Sequence, residues 1–92
     1  MVEGAAKRAF VYLLRCRDGS LYAGWTTDLT RRLRIHASGR GARYTRSRLP
    51  VALAASWEVA SRSEAMRMEA RIKRLSRAQK IALCASTVSI SA

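Results

Sequence analysis

Tyr12 and Tyr22 stand ten positions apart, and Arg32 follows after a further ten. Tyr22, Gly24 and Arg32 fall within one short stretch, LYAGWTTDLTRRL, where a strand is expected to hand over to a helix. A guanidinium can grip an oxyanion through two N–H groups and stays charged while negative charge builds. His36 lies four residues beyond Arg32, so on a helix the two share a face and can reach the same group. A tyrosine with a reference pKa of about 10 is a poor base at neutral pH unless nearby cations lower it. Seven arginines (31, 32, 34, 40, 43, 46 and 48) occupy the span from Arg31 to Arg48, with no acidic residue among them. Glu69 borders the apolar positions Ala65, Met68 and Ile72, an expensive place for an unpaired carboxylate, which a metal or an arginine partner would explain. These side chains suit chemistry on a phosphate.

The whole chain has the matching charge. Eighteen Lys plus Arg stand against six Asp plus Glu in 92 residues, a formal +12 with a pI near 11.4. Such a surplus on a small surface attracts polyanions, and nucleic acid is the first to consider. Anionic lipid and ribosomal RNA would satisfy the same electrostatics. The apolar runs are far too short for a membrane span, and no secretory signal opens the chain, so a cytoplasmic protein is expected. Cys16 and Cys84 are too few for a disulfide framework, and one histidine cannot complete a zinc site with them.

The elements that must position these residues can be read from pattern. Phe10 to Cys16 and Leu21 to Trp25 are rich in β-formers and flank Arg17-Asp18-Gly19-Ser20, which predicts a hairpin. A three-residue loop of Arg17, Asp18 and Gly19, with Gly19 left-handed, would put Tyr12 and Tyr22 on one face; a two-residue Asp-Gly turn would separate them. Thr26, Thr27 and Asp28 offer N-caps for a helix to about Ala37, with Leu29 and Leu33 on its apolar stripe. Ala42 to Leu49 reads as a basic loop closed by Pro50, and Val51 to Ala60 as a third strand. Ser61 to Glu64 has capping-box spacing and opens a long helix; Ser76 to Gln79 repeats the signal for a short one through about Cys84. The order is ββαβαα: an α+β domain with a three-stranded antiparallel sheet flanked by helices, over residues 9–83. Residues 1–8 and 86–92 are expected to fray.

Val11-Tyr12, Tyr22-Ala23-Gly24, the following TTDLTRRL, His36 and the EARIK segment with Glu69 together resemble the GIY-YIG nuclease domain. The resemblance covers roughly residues 9 to 83 and is strongest to the small stand-alone bacterial branch often called YhbQ-like. SGRGARYT, Ser38 to Thr45, is similar to that branch and to subunits that cut branched DNA. The resemblance implies a metal-dependent endonuclease acting on DNA, with RNA as a further possible substrate and a part in DNA repair. It implies Tyr12, Tyr22, Arg32, His36 and Glu69 as catalytic residues, with Glu69 holding one Mg²⁺ or Mn²⁺ ion. Either tyrosine can take the water's proton; the preferred pair is Tyr12 with His36, leaving Tyr22 to position water or phosphate.

Arg31, Arg40, Arg43, Tyr44, Arg46 and Arg48 are the expected nucleic-acid contacts, with Tyr44 able to stack a base. Nothing resembles a base-edge reader, so structure rather than sequence preference is expected. The chain departs from the family pattern at Phe10, Ala23 and Trp25, which stand where the motifs place glycine, isoleucine and, in repair members, lysine. Past Lys73 it offers Ser76, Gln79 and Lys80 rather than the asparagine many members carry. Plainer readings stand beside these. Glu69 with Lys73 is a routine helical ion pair, His36 borders the Leu29 and Leu33 stripe, and the chain as a whole could be a catalytically weak binding module or a recruiter for a repair partner.

Overall fold

The computed structural model describes residues 8–91, with side chains as far as Ser86. The expected fraying at 1–7 and of the side chains from 87 onward lies outside the described residues. The elements run β1 (Ala9–Arg15), β2 (Leu21–Thr26), α1 (Leu29–Ala37), α2 (Arg43–Arg46), β3 (Ala52–Val59), α3 (Arg62–Lys73) and α4 (Arg77–Ser91). The sheet is antiparallel in the order β2-β1-β3.

β1 is the central strand, paired on both edges, and residues on both of its faces are buried, which its near-continuous apolar sequence reflects. Val11 and Leu13 join Ala65 and Ile72 of α3, Ala55 of β3 and Cys84 of α4 in one core. Tyr12 and Leu14 point to the opposite face. There Tyr12, 2% exposed, meets His36 of α1.

The hairpin has the three-residue loop. Cys16 N–H donates to the Ser20 carbonyl at 2.9 Å, and Gly19 takes φ +84°, which a side chain would resist. Tyr12 therefore pairs with Gly24 and Leu14 with Tyr22, leaving the two tyrosines on one face of the sheet. Asp28 is the cap that α1 uses, its carboxylate accepting from Arg31 N–H at 3.1 Å. Ser61 caps α3 as expected, while Glu64 closes the box on the N–H of Ala60, one residue earlier than the standard box.

Two expectations change. Ala42 to Leu49 is not all loop: Arg43–Arg46 forms a helical turn that buries Thr45 completely. The last helix is also longer than a short one ending at Cys84, because the chain holds no glycine or proline after Pro50 to stop it.

Candidate active site

Tyr12 is the hub of the site. Its ring crosses β2 over Gly24, where an added Cβ would lie 2.6 Å from the Tyr12 Cζ atom. Gly24 thus makes room for the Tyr12 phenol. Gly24→Ala should push the pinned ring off its partner and cost about 1–3 kcal/mol of stability, the usual range for overpacking a core. Chemical denaturation of the two proteins measures it.

Beyond Gly24, the Tyr12 hydroxyl meets His36 Nε2 at 3.0 Å, and Nδ1 of the same ring meets Thr45 Oγ1 at 2.9 Å. The Thr45 hydroxyl lies 3.0 Å from the Ala42 carbonyl, which can only accept, so the hydroxyl donates there. His36 is the one buried residue of α1. The Leu29 and Leu33 stripe is only half-buried, so a histidine is the deepest anchor of this helix. All of its ring hydrogen-bonding capacity is satisfied, as burial demands.

Tyr22 packs its ring 5.6 Å from His36 and stacks on Tyr44 at 5.8 Å with 23° between planes. Its hydroxyl has no protein partner among the described residues. Tyr44 is further covered by the Arg48 guanidinium, 3.8 Å from its ring centroid. Arg48 also donates from Nε to Asp18 at 3.0 Å and from Nη1 to the Tyr44 carbonyl at 3.0 Å. Arg17 N–H donates to the Arg48 carbonyl, so the α2 segment is tied to the hairpin turn. Tyr44 and Arg48 are therefore engaged within the protein, Tyr44 as a stacked wall and Arg48 as a strap. Arg31, Arg40, Arg43 and Arg46 are exposed around them.

Electrostatics bring the remaining residues into the same site. Burial pushes the Tyr12 phenol up to about 12, the nearby Tyr22 and the carboxylate of Glu69 act in the same direction, and Arg32 opposes them. The sequence leads one to expect the cations to prevail and lower this group. Burial prevails instead, because Arg32 is exposed and screened while the phenol is enclosed. Burial and Arg32 together hold His36 below the ordinary histidine value, which favours the neutral ring.

Among the described residues His36 alone bonds the Tyr12 hydroxyl and Tyr22 packs on His36, while Arg32 and Glu69 reach the phenol through their charges only. Glu69 itself sits on α3 with its side chain 21% exposed and Lys73 Nζ 3.7 Å away. Among the described residues no three His, Cys, Asp or Glu side chains cluster as a metal cage. A single carboxylate still fits Mg²⁺, which keeps most of its waters and takes substrate phosphate as a further ligand. Ser76 and Gln79 cap α4 through reciprocal hydrogen bonds of 2.9 and 3.1 Å, so neither replaces the missing asparagine.

Sequence reasoning missed Thr45 and Gly41. An added Cβ at Gly41 would lie 2.8 Å from His36 Cε1, so this glycine lets the imidazole sit beneath the α2 segment. The one available signal was a threonine alone among arginines in RYTR.

Residues 8–82 match the profile of the GIY-YIG catalytic domain. The chain is 58% identical over 73 residues to a UPF0213 protein of Streptococcus pneumoniae serotype 4, covering 79% of this chain and 74% of that one. The solution structure of protein EF2693 from E. faecalis superposes with a TM-score of 0.60 at 43% identity, covering 87% of this chain and 85% of the other. That of UPF0213 protein BH0048 from Bacillus halodurans gives 0.56 at 51% identity, covering 85% and 83%. No helix among the described residues is long and apolar enough to cross a membrane. Tyr12, Tyr22, Arg32, His36 and Glu69 all fall within the matched residues, and the chain belongs to the GIY-YIG family of nuclease domains.

Proposed function

We propose that this protein is a metal-dependent endonuclease that hydrolyses phosphodiester bonds in DNA, choosing its substrate by structure rather than sequence. The observation that carries this reading is a buried phenol, Tyr12, hydrogen-bonded to His36, with Tyr22 packed on the same imidazole. Titratable groups shifted by burial and close neighbours cluster at functional sites, and here Tyr12 and His36 are both shifted and bonded to each other.

In the proposed reaction Arg32 takes a non-bridging phosphate oxygen through its guanidinium. The Tyr12 oxygen accepts a proton from the attacking water while its own proton passes to His36 Nε2. The water oxygen forms its bond to phosphorus, the bond to the leaving sugar oxygen breaks, and that oxygen takes a proton from solvent. Tyr22 presents its unpartnered hydroxyl to water or phosphate. Glu69 would hold a single Mg²⁺ or Mn²⁺ ion, which when bound supplies positive charge against the phosphate oxygens. Arg31, Arg40, Arg43 and Arg46 track the backbone of the nucleic acid, consistent with the +12 charge.

This relay needs an unprotonated Nε2, so it also predicts a pH profile. His36 lies below its ordinary value of 6.5, so cleavage should persist through pH 6.5 and fall only at lower pH. A pH–rate profile under single-turnover conditions tests this; an acid limb above 6.5 contradicts it. Incubating labelled DNA of several structures with and without Mg²⁺ or Mn²⁺ tests the activity itself.

A further inference from the structure

We propose that Thr45 is a positioning residue for this reaction: it fixes the proton of His36 on Nδ1 and so leaves Nε2 free to accept from Tyr12. The reasoning starts from what each atom can do. The Ala42 carbonyl is acceptor-only, so the single hydroxyl proton of Thr45 is spent on it at 3.0 Å. What the Thr45 oxygen can then offer the imidazole is a lone pair. The 2.9 Å contact to Nδ1 is therefore a hydrogen bond donated by the ring. In a neutral imidazole the other nitrogen is an acceptor, and it faces the Tyr12 hydroxyl at 3.0 Å. The opposite tautomer would leave Nδ1 facing a lone pair and turn Nε2 into a donor to Tyr12, unable to take its proton.

The geometry around Thr45 is built for this direction. Thr45 is fully buried, and its backbone N–H donates to the same Ala42 carbonyl at 3.1 Å, which holds the side chain in place. Gly41 lies against the ring, and a ring rotated by half a turn would present carbon atoms to both oxygens. The α2 turn is anchored from outside by the Arg48 strap to Asp18. This segment, read from sequence as phosphate-facing, thus also acts from within through its one buried residue.

The assignment deepens the proposed reaction, in which Tyr12 and His36 accept the proton, and its test can be read without any cleavage. The chain has one histidine, so ¹⁵N-labelled histidine gives a single pair of ring-nitrogen signals. At a pH of about 8, where the ring is neutral, the parent protein should show the proton on Nδ1. Thr45→Val keeps the shape and removes the acceptor; it should shift the ring toward the Nε2–H form and slow cleavage about 100-fold, the low end of what a positioned proton acceptor contributes. Thr45→Ser should restore both the tautomer and the rate. An Nε2–H ring in the parent overturns the assignment whether or not Thr45→Val folds, as does an unchanged tautomer in a folded Thr45→Val. A parent that shows the Nδ1–H form yet cuts no DNA supports the tautomer assignment and refutes the nuclease reading, so the two fail separately.

Discussion

Glu69→Ala should bind nucleic acid as the parent does and cut it about 10³-fold more slowly or worse, the several kcal/mol that a cation supplies to a phosphoryl transition state. The expectation rests on how little else Glu69 does. Its ion pair among the described residues, to Lys73 at 3.7 Å, joins two side chains a helical turn apart, a pairing worth about 0.2–0.5 kcal/mol. Losing it leaves the core of Ala65 and Ile72 untouched. The Glu69 side chain is nonetheless only 21% exposed, more enclosed than its partner Lys73 at 53%. Binding measured at several salt concentrations beside single-turnover cleavage separates the roles. A variant that cuts at the parent rate would make Glu69 a helical ion pair and nothing more.

Tyr12→Phe should keep the fold and lose about 10²–10⁴-fold in cleavage, the range for a positioned proton acceptor. The ring still fills the space over Gly24 and still packs beneath α1. Only the oxygen goes, and with it the partner of His36 Nε2. An acceptor nitrogen left unpaired beneath α1 costs about 1–3 kcal/mol, so a modest drop in stability should accompany the loss. Tyr22→Phe is the informative companion. Its hydroxyl has no protein partner among the described residues, so stability should hold while cleavage falls. If Tyr12→Phe cut normally and Tyr22→Phe did not, the proton would leave water through Tyr22, and the Tyr12 and His36 pair would be structural.

Much of this site was legible because local signals and tertiary demands agreed. Arg17-Asp18-Gly19 chose the hairpin loop, the loop chose the register, and the register alone set Tyr12 and Tyr22 on one face. Asp28 and Ser61 placed the starts of α1 and α3 through their own oxygens. The parts that were not legible depend on contacts between distant segments. Nothing near Gly24 says that a phenol from the neighbouring strand will cross it. RYTR advertises charge, and a threonine among arginines carries no sign that it will be buried beneath a histidine nine residues earlier. The direction of the Tyr12 shift was hidden for the same reason. Sequence counts the arginines nearby, whereas the balance is decided by how deeply the phenol is enclosed.

The most direct test is cleavage of labelled single-stranded, duplex, flap and branched DNA by the parent protein, with Mg²⁺, with Mn²⁺ and with chelator, beside Tyr12→Phe and Glu69→Ala. We expect metal-dependent cutting that favours particular DNA structures, ignores sequence and disappears in both variants. Tight, salt-sensitive binding with no cut in either metal, or cutting that survives both substitutions, would contradict it.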